Sequence, residues 1–218
     1  RCFTEYLREA GYYCSNNDKK DYNFQESPSA WDESSRKAHW RNRKPGQPFF
    51  SVFNHGVCHE SLMHKTEEEF EKIRQKHHVH PHDPAKVPIP AYHPDIPEFR
   101  ADWARYYDAI TALDVQIAER LSELTADGLA EDTIVMFWGD HGTGITRGKR
   151  CVYESGTRVP LIVRIPAKYQ HLASGPAGSS ETRLVSFIDF APTVLRLAGL
   201  APPAYMQGTA FLGGAKTR

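Results

Sequence analysis

Residues 133–163 read TIVMFWGDHGTGITRGKRCVYESGTRVPLIV. An apolar run, 133–138, ends in Gly139-Asp140-His141-Gly142; Lys149 and Arg150 come next, and a second apolar run follows Pro160. Short continuous apolar runs bounded by turn residues fit strands buried on both faces. The first strand therefore delivers a carboxylate and an imidazole at its carboxyl end, where open α/β sheets gather ligands. Neighbours on a regular strand point to opposite faces. Asp140 and His141 meet at one point only if the chain turns, and Gly139, Gly142 and Gly144 are expected to permit that turn. Carboxylate oxygen plus imidazole nitrogen suits a divalent cation without naming it; a turn-capping Asp beside a surface His fits the same dipeptide. Lys149 and Arg150 read either as holders of an anionic oxygen near a metal or as a solvated pair. Glu154 and Arg158 read as an ion pair framing the loop.

Outward from this stretch, residues 4–10 predict a helix stopped by Gly11, and YYC (12–14) a short strand. Residues 15–47 are polar and lack periodicity; within them NNDKKDYNF (16–24) places Lys19, Lys20 and Asp21 at a second candidate strand end. FFSVFN (49–54) has strand length, and HGVCHESL follows it, so His55 and His59 occupy a post-strand loop. Imidazole titrates near neutral pH, which lets a histidine there serve as a general acid. TEEEFEKIRQKHH (66–78) predicts a solvated helix with Thr66 as N-cap. The histidines of HHVHPH (77–82) read mainly as solvated. Residues 81–97 hold six prolines and predict an extended loop. Residues 98–126 predict the longest helix, with Trp103, Tyr106, Ile110, Leu113, Ile117, Leu121 and Leu124 as its apolar stripe. LVSFI (184–188) predicts a third buried strand, and the helix after it takes Asp189 as N-cap and Gly199 as stop. Strands alternating with helices give an α/β fold with a mostly parallel, mixed sheet flanked by helices.

The 218 residues carry 27 Lys+Arg and 27 Asp+Glu, a formal net charge of zero. That balance gives no reason to expect nucleic acid or a membrane surface as partner. No apolar run nears the roughly 18 residues of a membrane span, and the opening residues carry no signal-peptide pattern. Cys2, Cys14, Cys58 and Cys151 form no CxxC pair, which removes the zinc-ribbon and thioredoxin-like readings.

Five segments in order resemble the sulfatases of the alkaline-phosphatase-like superfamily: YLREAGYYCSNNDKKDYNF, PFFSVFNHGVCHES, DTIVMFWGDHG, GKRCVYESGTRVPLIVRIP and VSFIDFAPTVLRLAGL. The wording KKDYNF and HES is most similar to bacterial enzymes grouped with heparan N-sulfatases. The resemblance implies an alkaline-phosphatase-like fold and a hydrolase of sulfuric esters or sulfamates acting on a small-molecule or glycan substrate in the periplasm or outside the cell. It makes Asp140 and His141 metal ligands, for calcium or alternatively magnesium. It gives Lys149 the sulfate and bridging oxygen, His59 the protonation of the leaving group, and Lys19 the nucleophile and sulfate. Where many family members carry His two residues after that lysine, this chain has Asp21, so the base that resolves the intermediate is unassigned.

Sulfatases of this kind use a formylglycine made from Cys or Ser in a C/S-x-P-x-R context. None of the four cysteines stands in one, and the paired aspartates that complete the family's metal site are also missing. Residues 1–218 are therefore expected to be a partial catalytic domain, incomplete at both ends: the nucleophile segment lies upstream, a smaller domain downstream, and the fragment alone has no turnover. Two rivals remain open. One is a phosphodiesterase or phosphatase of the same superfamily, with two transition metals and a Thr or Ser nucleophile. The other is a non-catalytic protein that binds sulfated glycans.

Overall fold

The computed structural model describes residues 1–214. In chain order its elements are α1 (Phe3–Glu9), β1 (Tyr13–Asn17), β2 (Glu33–Ser34), β3 (Phe49–Phe53), α2 (Glu67–Lys76), α3 (Pro97–Ala126), β4 (Val135–Trp138), α4 (Glu154–Thr157), β5 (Leu161–Arg164) and α5 (Phe190–Leu197), joined by loops and short 3₁₀ turns. They form two compact units, one of residues 1–54 with the chain from 165 onward, the other of residues 55–164. The architecture is α/β. Among the described residues no helix is long and apolar enough to cross a membrane.

The first unit is built on a parallel three-stranded sheet in the order β2-β1-β3, with Tyr13 opposite Phe49 and Asn17 opposite Phe53. Gly11 ends α1 at φ 92°, where the Tyr12 N–H reaches the Leu7 carbonyl at 3.0 Å; a residue without Cβ takes that left-handed conformation freely. Leu7, Cys14 and Leu195 are fully buried together, and Phe3, Trp31 and Phe50 close over them. Burial pushes the Cys14 thiol up to about 12, as expected for an inert core cysteine. The predicted strand at 184–188 does not form. Leu184 is 102% exposed and residues 187–189 make a 3₁₀ turn. A local contact decides this: the Asp189 carboxylate accepts from the Ser186 N–H at 2.9 Å, which curls the segment into a capped turn. The same side chain takes the Thr209 N–H at 2.7 Å. Asp189 occupies the position before α5 but does not cap it with its side chain, a second departure from expectation. Gly199 does stop α5, at φ 76°.

In the second unit, Thr66 caps α2 through a capping box with Glu69. Pro97 opens α3, where a missing N–H costs nothing. The buried face of α3 follows the predicted stripe in part, with Tyr106, Ile110 and Ile117 half-buried. Trp103, Leu113 and Leu124 are buried, but Leu121 is exposed, and Ala104, Asp108, Ala109 and Ala112 complete the covered face. Small side chains let the neighbouring turns approach the helix backbone closely, which a search for large apolar residues does not see. Asp108, 2% exposed, accepts from Arg74 Nε at 2.7 Å and from His82 Nδ1 and backbone N–H at 2.7 and 2.9 Å. His77 is also buried, and burial, with Lys76 beside it, lowers its pKa. The HHVHPH tract is thus mainly solvated as expected, with His78, His80 and His82 exposed, but His77 is buried and His82 is tied to Asp108. β4 and β5 pair antiparallel, Val135 opposite Arg164 and Trp138 opposite Leu161. Parallel return requires a substantial crossover, and between these strands the only helix is the single turn α4.

Asp108 anchors both α2 and the proline-rich loop to α3. Replacing Asp108 with Ala removes the acceptor of Arg74 Nε and of both His82 donors while Arg74 keeps Glu67 and Glu71, and the expected loss is about 1–3 kcal/mol, read as a lower midpoint in chemical denaturation.

Candidate functional site

The loop after β4 closes on itself through glycine. A Cβ on Gly142 would sit 1.8 Å from the Ser155 carbonyl oxygen, one on Gly148 2.0 Å from that of Thr143, and one on Gly156 2.1 Å from that of Cys151. None of Gly139, Gly142 or Gly144 has positive φ. Gly142 and Gly144 therefore serve close approach and not the turn expected from the sequence, and Gly139 meets its neighbours only at ordinary contact distance, 3.6 Å. The left-handed positions fall instead on Arg147 and Arg150, at φ 71° and 72°, where a side chain costs about 1–2 kcal/mol. The Lys149 N–H donates to the Thr143 carbonyl at 2.7 Å, and Ile145 is buried with Val87, Trp103 and Ala104. The loop is thus pinned to α3, with Lys149 between two strained residues.

The 58–64 segment lies along this loop. Glu60 is the bridge, and sequence reasoning gave it no role. Its Oε1 accepts from Arg150 Nη1 at 2.5 Å and its Oε2 pairs with Lys149 Nζ at 3.1 Å. These bonds, Arg150 first, hold its carboxyl down at about 2. The only sequence signal was an acid directly after the candidate histidine in HES. A Cβ on Gly144 would lie 2.8 Å from the Glu60 Cβ, so the glycine makes room for the bridge. Cys58, on the other side of His59, has its thiol pushed up by burial and by the charge of Asp140.

His59 starts a 3₁₀ turn, and its Nδ1 accepts from the Ser61 N–H at 3.2 Å. A ring nitrogen that accepts a backbone N–H carries no proton, so the neutral ring holds its proton on Nε2. That Nε2 stands 3.3 Å from Lys149 Nζ. Two donors do not satisfy each other. The ammonium has Glu60 Oε2 as an acceptor, and among the described residues the His59 Nε2–H has none. His55 is spent differently: its Nδ1 bonds Gln116 Oε1 on α3 at 2.9 Å, a tie that fixes the loop.

Asp140 Oδ2 and His141 Nε2 lie 3.7 Å apart. His141 Nδ1 is bonded to the Gly142 carbonyl at 2.7 Å, which leaves the Nε2 lone pair free, the arrangement metal-binding imidazoles use. One carboxylate oxygen and one imidazole nitrogen at this separation fit a shared divalent cation. Among the described residues no group of three or more His, Cys, Asp or Glu side chains gathers at one point, so Asp140 and His141 alone would not complete a metal's coordination. Lys19 belongs to the first unit, where it pairs with Asp21 at 3.1 Å and its carbonyl accepts from Asn16 at 2.9 Å. Glu154 and Arg158 form the expected exposed pair at 2.8 Å.

Comparison with known proteins bears on this arrangement. The sequence model of the family described as Sulfatase matches residues 3–200. An ulvan-active sulfatase of Formosa agariphila is 39% identical over 244 aligned residues, covering 100% of this chain and 40% of its own length. N-sulphoglucosamine sulphohydrolase of Homo sapiens is 32% identical over 57% of this chain and 24% of its own length. N-acetylglucosamine-6-O-sulfatase of Bacteroides thetaiotaomicron is 32% identical over 49% of this chain and 19% of its own length. The chain thus spans less than half the length of each of these curated relatives.

Two outcomes test the loop. Gly148→Ala should markedly lower the melting temperature through its clash with the Thr143 carbonyl, whereas Gly56→Ala, which meets nothing within 4 Å, should leave it nearly unchanged. The depressed carboxyl of Glu60 contributes stability above its ordinary value of 4.5 and loses it as pH falls toward 2. The melting-temperature difference between the parent and Glu60→Gln should therefore be constant above about pH 5 and shrink through that acidic window.

Proposed function

The chain belongs to the sulfatase family, and from that premise we propose that it forms part of a metal-dependent hydrolase of sulfuric esters or sulfamates carried on a glycan. The observation that carries this reading is the meeting of two donors, His59 Nε2–H and Lys149 Nζ, 3.3 Å apart, the lysine held by Glu60 with ammonium hydrogens to spare. A sulfate monoester offers both acceptors such a pair needs: a charged sulfuryl oxygen for the ammonium and a bridging oxygen, or the nitrogen of a sulfamate, for the imidazole proton. Lys149 neutralises charge on the sulfuryl oxygens. His59 gives its Nε2 proton to the departing alcohol or amine. Glu60 fixes the direction of Lys149, and the Ser61 N–H fixes the tautomer of His59.

Asp140 and His141 would hold the cation, calcium or alternatively magnesium. When bound, it draws electron density from the sulfuryl oxygens. The nucleophile that the family resemblance implies is a formylglycine, and none of the four cysteines stands in its C-x-P-x-R context. The role proposed for Lys19, holding nucleophile and sulfate, is supported by its motif. The glycan class is supported by the names of the relatives, which act on ulvan and on sulfated amino sugars. A periplasmic or extracellular location follows from the same resemblance.

The full protein that carries this chain should release inorganic sulfate from sulfated oligosaccharides, lose that activity to a chelator and recover it with calcium. His59→Ala and Lys149→Ala should each lower kcat/KM by about 10²- to 10⁴-fold. Phosphate release from phosphodiesters, or tight binding of sulfated glycan without sulfate release, would overturn the reading.

A further inference from the structure

Arg147 stands two residues before Lys149, within about 7.6 Å of it at Cα, and takes no part in the donor pair. Its guanidinium lies between two aromatic rings, 4.2 Å from the Tyr153 centroid and 5.1 Å from that of Tyr92. Both tyrosines are exposed. Among the described residues the guanidinium makes no hydrogen bond or ion pair. The cation is therefore held by ring faces while its planar fork of N–H donors stays open.

The surroundings are constructed and not incidental. Arg147 keeps a left-handed backbone, φ 71°, and its carbonyl is fixed by the Ser155 hydroxyl at 2.7 Å. Tyr92 comes from the proline-rich loop, which a relay of hydrogen bonds latches to the glycine loop. Trp103 Nε1 donates to His93 Nδ1 at 3.1 Å, so His93 carries its proton on Nε2 and donates it to the Thr146 carbonyl at 2.8 Å. His93 is buried and stacks edge-on against Tyr92 at 4.6 Å. The relay runs from the α3 core to the residue before Arg147. It fixes where Tyr92 stands relative to the guanidinium.

We propose that Tyr92, Arg147 and Tyr153 form a subsite for an anionic substituent, carboxylate or second sulfate, on the sugar next to the one being desulfated. The fork matches planar or trigonal oxyanions with two parallel hydrogen bonds, and the exposed tyrosine faces cover the apolar side of a sugar ring. The inference rests on the sulfatase reading for what lies at Lys149, and it names a specificity determinant that the donor pair does not require.

The test uses the full protein and three sulfated disaccharides that differ only in the neighbouring sugar: carboxylated, sulfated or uncharged. Binding is measured by titration calorimetry for the parent, Arg147→Ala and Arg147→Lys, and kcat/KM alongside. The parent should prefer a charged neighbour. Arg147→Ala should reduce the charged-to-uncharged affinity ratio by about tenfold, with Arg147→Lys between, because it keeps the charge and loses the fork. A drop confined to the carboxylated sugar assigns the site to carboxylate, and one confined to the sulfated sugar assigns it to sulfate. An unchanged ratio in Arg147→Ala, or equal loss with all three sugars, overturns the proposal. Absence of sulfate release by the parent would instead count against the sulfatase reading, and the binding ratios would still decide for or against the subsite.

Discussion

The carboxylate of Glu60 is the contact on which the candidate site depends. Lys149 and Arg150 are adjacent cations, and Arg150 sits in a backbone conformation that disfavours a side chain. Each takes one oxygen of the same carboxylate. The bridge offsets the repulsion between them and the strain beneath them. It also couples the loop after β3 to the loop after β4. His59 is the residue before Glu60, so the bridge that aims the lysine brings the imidazole to it.

Close backbone approach makes that bridge possible. Carbonyl oxygens of Thr143, Cys151 and Ser155 occupy the space where side chains of Gly148, Gly156 and Gly142 would be. A loop folded this tightly cannot shift without breaking several hydrogen bonds, which gives the Lys149 ammonium a fixed origin. Its foundation is α3, through buried Ile145 and Trp103, and the Gln116–His55 bond ties the loop after β3 to the same helix. A rigid helix under a strained loop holds donors in place before any ligand arrives.

Several elements were legible from local pattern because local physics settles them. Thr66 starts α2, and Gly11 and Gly199 stop helices at positive φ. Local pattern misled where a tertiary or capping contact outweighed it. The apolar run at 184–188 yields to the Asp189 capping box. The stripe on α3 rotates toward alanines because closeness, not side-chain size, decides its covered face. His77, read as solvated, is buried beneath Gln116.

Local pattern along the chain carries the α/β class, the family motifs, and the residue types delivered after the strands: Asp140 with His141, Lys149, His59 and Lys19. These follow from apolar periods, from turn chemistry and from motif order, all properties of neighbours along the chain. Three-dimensional contact is what brings His59 and Lys149, 90 residues apart, to one spot, sets Glu60 against the lysine, and leaves Arg147 open between two tyrosines. Those facts depend on which segments touch. Contact between distant segments is fixed by close fit and by hydrogen-bond satisfaction, and no local pattern carries it.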